Sequence, residues 1–164
     1  YIPNFLSMKV LQLCKKVPYP MKDGESIAIT QSARSAAAQG LGMDLLAFNT
    51  VKHSCDLAEA ETSLSHYGRV EAITLDNRVR AWTALKNLLF SRESYHIERF
   101  VDPSFRLKLI EMLEDGDYDI VQLETVYMAI YIPVIRAHST AKIVLPTMWN
   151  TRSGSGSLRT PEIL

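Results

Sequence analysis

The chain has 164 residues, of which 47% are hydrophobic, so its length suits one globular domain with a full-sized core and is short for two. Lysine plus arginine and aspartate plus glutamate each number 18, which leaves no net field to attract nucleic acid or an anionic membrane surface. The most apolar run, residues 126–135, contains Pro133 and falls short of the roughly 20 residues that a membrane span needs.

The first half of the chain alternates strand and helix patterns. Residues 8–14 form an apolar strand, a loop with two prolines follows, and residues 26–39 carry a small apolar face at helical spacing before Gly40. Strands are predicted at residues 43–48 and 70–75, with a helical pattern at residues 57–67 between them. The order up to this point is βαβαβ.

The second half continues the alternation. Helical spacing recurs around Trp82 and again after Asp102, which with Pro103 is suited to opening a helix. Residues 118–124 read as a buried strand, a helix begins at Val126, and a last strand covers residues 142–145. We therefore predict an α/β fold, a doubly wound, Rossmann-like parallel sheet of about five strands in the order 3-2-1-4-5 with helices on both faces.

The two ends do not fit this scheme. Residues 1–7 precede a natural starting methionine, and residues 153–157 read Ser-Gly-Ser-Gly-Ser, as flexible linkers do. The expected organisation is an appended segment at 1–7, the α/β domain at 8–146 and a linker-like tail at 147–164.

The loop after the first strand is the leading candidate for a ligand site, because open α/β sheets bind ligands at the carboxyl ends of their strands. Gly24 would allow close approach of a ligand, and a helix N-terminus follows it. The alternative is that the prolines and Gly24 only shape the connection, since neither a G-x-G-x-x-G motif nor a Walker lysine is present.

Several motifs together resemble the start of retaining glycosyltransferases of the GT-B architecture. They are a K-V-L strand, a P-Y-P loop, a D-G pair, a helix ending in A-A-Q-G, the segment D-L-L-A-F, and D-Y-D-I-V-Q-L-E at residues 117–124. The similarity covers about residues 8–145, and the resemblance implies that this is the N-terminal, acceptor-side half of such an enzyme.

The resemblance also implies a set of binding residues and ligands. The loop containing Gly24 would approach the phosphates and sugar of a nucleotide-sugar donor, and Glu124 would lie near a sugar or lipid-linked acceptor. The candidate ligand-binding residues are Pro20, Asp23, Gly24, Glu25, Ser26 and Glu124. We assign no catalytic residue, cofactor or metal ligand.

Two departures from the family pattern bear on activity. Members usually continue the strand at 142–145 into a T-H-N motif, whereas this chain reads Pro-Thr-Met-Trp-Asn at residues 146–150 and lacks the histidine. The half that binds the nucleotide sugar also has no counterpart within the 164 residues. Transfer requires that donor charge be stabilised while the acceptor is positioned, so we expect no glycosyl transfer by this chain alone.

An alternative hypothesis is an engineered scaffold built on this domain, with a new interface or site at the altered ends. The Ser-Gly repeat, the missing T-H-N motif and apolar residues such as Met148 and Trp149 favour it. In either case an exposed apolar cleft wall could lead to homo-oligomers.

Other sites are weaker candidates. The four histidines and two cysteines show no zinc-ligand spacing, and Cys14 is more plausible as a core thiol than as a nucleophile. The basic and aromatic residues between Arg78 and Lys108 read as solvated helix faces rather than a nucleic-acid surface. The low cysteine content favours the cytoplasm.

Overall fold

The fold was obtained as a computed structural model, and the structure describes residues 8–50, 56–75 and 101–145. The predicted appended segment, the helix around Trp82, most of the basic stretch and the tail all lie outside the described residues. The domain boundaries and the engineered-scaffold hypothesis therefore stay predictions.

The described elements alternate in the predicted order. They are β1 (Lys9–Cys14), α1 (Gly24–Ala38), β2 (Gly42–Thr50), α2 (Leu57–Ser63), β3 (Arg69–Leu75), α3 (Pro103–Gly116), β4 (Ile120–Leu123), a 3-10 helix (Val126–Tyr131), α4 (Ile132–His138) and β5 (Lys142–Val144).

The five strands form one parallel sheet in the order β3-β2-β1-β4-β5. The prediction of a Rossmann-like α/β fold with the order 3-2-1-4-5 is thereby confirmed. Strand β1 lies at the centre, where Leu13 pairs with Leu46 of β2 on one side and with Leu123 of β4 on the other. Both of its faces are buried, which explains its nearly continuous apolar sequence.

Each face of the sheet carries its own core because side chains alternate along a strand. Leu11 and Leu13 of β1 pack with α3 and α4, in a cluster that includes Phe105 stacked on Phe48 at 4.2 Å between ring centroids. Val10 and Cys14 face the opposite side, together with residues of α1 and with Tyr67 after α2. The helices therefore cover both faces.

Two helices differ from the expectation. The helix predicted from Val126 begins as a 3-10 helix and becomes α-helical at Ile132, because Pro133 has no N–H to continue the ladder from the preceding turn. Helix α2 ends at Ser63 rather than near Tyr67. The periodic apolar residues Leu64 and Tyr67 are buried in the turn that leads to β3 instead.

Within the described residues, no helix is both long and apolar enough to cross a membrane.

Candidate functional site at the carboxyl edge of the sheet

The candidate site lies where the winding of the sheet reverses. The chain runs outward from β1 through β2 to β3, then returns to place β4 on the other side of β1. The connections that leave β1 and β4 therefore diverge from neighbouring strand ends. Ligands of open α/β sheets bind in the crevice at such a reversal point.

The connection after β1 is held to the body of the domain and exposes its tip. The backbone N–H of Val17 donates to Phe48 O at 3.0 Å, and Thr30 Oγ1 donates to Pro18 O at 3.4 Å. Pro20 and the next residues as far as Gly24 are exposed. The predicted rim is therefore accessible and anchored at its base.

Asp23 is the N-cap of α1. Its carboxylate accepts a hydrogen bond from the Ser26 backbone N–H at 2.8 Å and one from Lys16 Nζ at 2.5 Å. The Lys16 hydrogen bond, followed by the one from Ser26, lowers the pKa of Asp23 from 3.8 to about 2. Asp23 thus stabilises the start of the helix and is partly occupied by partners within the chain.

Gly24 and Ser26 have different environments in the first turn of α1. A Cβ added to Gly24 would meet no heavy atom within 4 Å, so no steric contact among the described residues requires a glycine there. Ser26 is buried beneath the turn. Gly24 therefore remains a candidate for close approach of a ligand, whereas Ser26 is buried and its backbone N–H is already bonded to the Asp23 cap.

Glu25 connects the start of α1 to two lysines. Its Oε1 lies 3.0 Å from Lys15 Nζ, and its Oε2 lies 3.8 Å from Lys16 Nζ. Lys15 Nζ also lies 5.8 Å from the centre of the Tyr127 ring, in the connection that follows β4. Lys15 therefore spans the crevice between the two diverging connections.

Glu124 follows β4 directly and is only 5% exposed. Its Oε1 accepts hydrogen bonds from two amides, Gln12 Nε2 and Gln122 Nε2, the second at 2.5 Å. Burial raises the pKa of Glu124, and the nearby charge of Glu25 adds to the rise, while the two amide hydrogen bonds oppose it. The structure therefore places Glu124 near Glu25 at the start of α1, in a buried setting.

Buried polar atoms without a hydrogen bond concentrate at this edge. Among the described residues there are four such side-chain atoms, and three of them belong to Glu25, Thr50 and Thr125. Thr50 ends β2, Thr125 follows β4, and Glu25 is in the first turn after the β1 connection. Glu25 Oε1 has the ion pair with Lys15 without a hydrogen bond of good geometry. Since buried polar groups are normally satisfied, this concentration points to a place where a ligand completes the bonding.

The sequence interpretation missed the amides that hold Glu124. Gln12 and Gln122 interrupt otherwise apolar strands, and a buried amide in such a strand is the signal that could have identified them. Tyr67 belongs to the same network, because its hydroxyl donates to Gln12 Oε1. The sequence pattern predicted Tyr67 only as the last residue of a helix at residues 57–67.

Cys14 is a buried free thiol beside this network. Burial, followed by the charges of Glu124 and Glu25, raises its pKa well above the ordinary value. A reactive cysteine requires the thiolate, so this environment supports a core thiol rather than a nucleophile. The described residues contain no group of three or more His, Cys, Asp or Glu side chains that could hold a metal ion.

The opposite, amino edge of the sheet has an open depression of about 520 Å³. It is lined by Lys9, Asp44, Arg69 and Tyr118, among others. Lys9 Nζ lies 3.3 Å from Asp44 Oδ2, which also accepts a hydrogen bond from the Tyr118 hydroxyl at 2.7 Å. Arg69 is paired with two glutamates. These charged groups satisfy one another, and His66 Nε2 is the buried atom of the lining without a hydrogen bond among the described residues. Since three such atoms lie at the carboxyl edge, we do not take the depression as the leading site.

Comparison with known proteins supports the fold alone. No family model matches the chain, and no curated protein matches it. A solved structure, the C-terminal domain of a hydrogenase from Pyrococcus furiosus, is similar with a TM-score of 0.50 and 13% sequence identity, over 84% of this chain and 90% of that one. At such low identity the likeness extends to the α/β architecture and not to activity.

Proposed function

We propose that this chain is the N-terminal, acceptor-side half of a nucleotide-sugar-dependent, retaining glycosyltransferase of the GT-B architecture. The observation that carries the proposal is the set of buried oxygens without a hydrogen bond at the carboxyl edge, on Glu25, Thr50 and Thr125, together with the buried carboxyl of Glu124 at the same edge. A sugar offers many hydroxyl groups, each of which can donate and accept, and is suited to complete such a set.

The charges of this edge favour the acceptor over the donor phosphates. Lys15 and Lys16 are opposed by Asp23 and Glu25, both of which are already paired with them, and by Glu124. The described side chains therefore supply no excess of positive charge for a diphosphate. In the proposed enzyme, that charge would come from the facing domain.

The exposed apolar residues of this edge are consistent with a facing domain. Met21, Ile27 and Val126 are large, exposed hydrophobic side chains on the two connections and on the first turn of α1. Without a partner domain they would favour self-association of the chain. We also propose a cytoplasmic location, where the free Cys14 thiol would remain reduced.

The test is a binding titration monitored by amide NMR of the labelled chain. The probes are UDP-glucose, GDP-mannose and the methyl glycosides of glucose, galactose and mannose. We expect saturable shifts around Gly24 and Glu124 with a dissociation constant on the order of 1 mM, as for one wall of a divided site.

A bulky substitution distinguishes the two edges of the sheet. Gly24→Trp places an indole on the rim, where a Cβ meets no neighbour, and should abolish these shifts while the domain stays folded. Asp115→Trp is the matched control at an exposed position of the amino edge. Shifts confined to the amino edge, or an absence of binding to every probe, would overturn the proposal.

Turnover provides a second check. One wall of the cleft cannot both stabilise the leaving nucleotide and position the acceptor, so the purified chain should neither transfer nor hydrolyse a nucleotide sugar. Measurable release of UDP or GDP would contradict this part of the proposal.

A further inference from the structure

The central strand contains a fully buried amide whose orientation is set at both ends. Gln12 is 0% exposed and lies on the α1 face of the sheet. Its Oε1 accepts a hydrogen bond from the Tyr67 hydroxyl, and its Nε2 donates to Glu124 Oε1. Reversal of the amide would place its oxygen against the carboxyl oxygen, which would repel an ionised Glu124.

Tyr67 is suited to hold this orientation permanently. Burial raises the pKa of its phenol, and the neighbouring Cys14 and Glu124 raise it further. The hydroxyl therefore stays protonated and remains a donor at any pH at which the domain functions. The amide nitrogen of Gln12 is consequently directed at Glu124.

The two oxygens of Glu124 are not equivalent. Gln12 and Gln122 both donate to Oε1, and no described residue donates to Oε2. Glu124 is 5% exposed as a whole. Among the described residues, its Oε2 is thus the carboxyl oxygen that has no hydrogen-bond donor.

Such a network is costly to bury, and apolar side chains of similar size would fill the same space without the desolvation penalty. It is therefore informative that three polar residues on β1, β4 and the α2–β3 turn cooperate to fix one carboxyl group. We propose that Gln12, Gln122 and Tyr67 are positioning residues that hold Glu124 so that its Oε2 accepts a hydrogen bond from one hydroxyl of a neutral sugar. This inference rests on the proposed function and names the group that recognises the acceptor.

The first experiment measures the positioning without a ligand. The apparent pKa of the Glu124 carboxyl is followed by ¹³C NMR in the wild-type chain and in Tyr67→Phe. Loss of the phenol hydroxyl removes the hydrogen bond that restrains Gln12 Oε1, so the amide holds Glu124 less firmly and the pKa of the carboxyl should rise by up to about one unit. Gln12→Met, which removes the amide donor itself with little change of shape, should raise it likewise.

Tyr118→Phe is the matched control. It removes another buried phenol hydroxyl, which donates to Asp44 at the amino edge and is remote from this network. The Glu124 pKa should be unchanged in Tyr118→Phe. An equal pKa in wild type, Tyr67→Phe and Gln12→Met, all folded by amide NMR, would overturn the positioning role.

The second experiment measures recognition with the methyl glycosides. Wild type and Tyr118→Phe should bind alike, and Tyr67→Phe and Gln12→Met should bind roughly tenfold more weakly, as expected for one impaired hydrogen bond to a charged group. If all four chains bind a glycoside equally at the carboxyl edge, the inference fails and the proposed function stands. If wild type binds nucleotide sugars but no glycoside, the inference fails in the same way. If it binds no probe at all, both fail.

Discussion

Each edge of the sheet buries one carboxyl group near the central strand, and the two groups differ in how their oxygens are hydrogen-bonded. At the amino edge, Asp44 receives the Tyr118 hydroxyl and lies within ion-pair distance of Lys9. At the carboxyl edge, two amides donate hydrogen bonds to one oxygen of Glu124, and no described residue donates to the other. Three of the four unsatisfied buried polar atoms of the described residues also lie at the carboxyl edge.

This difference indicates that the polar groups of the amino edge contribute mainly to stability, whereas those of the carboxyl edge are candidates for binding a ligand. At the amino edge, Asp44, Lys9 and Tyr118 satisfy one another, which stabilises the pairing of β1, β2 and the end of α3, and His66 Nε2 is the buried atom there without a hydrogen bond among the described residues. At the carboxyl edge, the described residues leave three buried oxygens, on Glu25, Thr50 and Thr125, without a hydrogen bond. Unsatisfied polar groups in a folded protein are expected where function requires them, since elsewhere they only cost stability.

Asp44→Ala should have the largest effect on stability. It leaves the buried Tyr118 hydroxyl without its acceptor and removes the Lys9 partner, for an expected loss of about 2 kcal/mol in the free energy of unfolding. Urea denaturation at pH 7 measures it, with the exposed Asp115→Ala as the control. A loss equal to that of the control would mean that the amino-edge network contributes nothing.

Glu124→Gln, in contrast to Asp44→Ala, should increase the free energy of unfolding. The amide oxygen of the new glutamine can still accept the hydrogen bonds from Gln12 and Gln122, and the buried charge is gone. We therefore expect a gain of roughly 1 kcal/mol in the free energy of unfolding at pH 7. Glycoside binding should become weaker. Because the pKa of Glu124 is raised above its ordinary 4.5, wild-type stability falls as the pH rises through that value toward the folded pKa.

The pH dependence of Glu124 provides the check. Urea midpoints at pH 4.5 and pH 7 should differ less in Glu124→Gln than in wild type. If the substitution destabilises the domain at both pH values, the carboxylate is stabilising, and the comparison between the two edges does not hold.

Two glycines provide a smaller, paired test. A Cβ at Gly24 meets nothing within 4 Å, so Gly24→Ala should stabilise the domain by about 0.5 kcal/mol through reduced entropy of the unfolded chain. A Cβ at Gly68 would lie 3.1 Å from Asp44 Oδ1, so Gly68→Ala should cost about 1 kcal/mol. Thermal denaturation measures both. Equal effects would show that the surroundings of Gly24 and Gly68 do not differ in packing.

Asp23→Asn should have the smallest effect. The amide still caps α1 but loses its charge attraction to Lys16, and because Asp23 is largely exposed the cost at pH 7 should be about 0.5 kcal/mol. The depressed pKa of Asp23 means that its contribution is complete above 3.8 and is lost as the pH falls from there to about 2. Acid titrations by circular dichroism should show a shallower loss in the variant over that interval.

The sequence was sufficient for the elements whose signals are local. Asp102 opens its helix as its position predicted, and the apolar runs of β1 and β4 became buried strands at the centre of the sheet. Pro133, by contrast, was noted only as an interruption of an apolar run. The pattern did not reveal that the turn before it is a 3-10 helix, because a missing N–H can end, kink or restart a helix with similar spacing.

The candidate site was predicted only in outline. The loop of Gly24 was placed at the carboxyl edge because strand ends of a parallel sheet meet there, and Glu124 was proposed from the family resemblance alone. Both residues lie at that edge in the structure. The sequence did not indicate that Ser26 is buried, that Lys15 spans the crevice, or that Gln12 and Tyr67 hold Glu124.

Taken by itself, the order of apolar and polar residues determined the alternation of strands and helices and the central place of β1. These follow from periodicity and from the handed winding of parallel sheets, both of which act over short stretches of chain. Only the tertiary structure decided which side chains meet at the carboxyl edge. Gln12 and Glu124 are separated by 112 residues, and their contact depends on the register in which β1 and β4 pair, which no local pattern specifies.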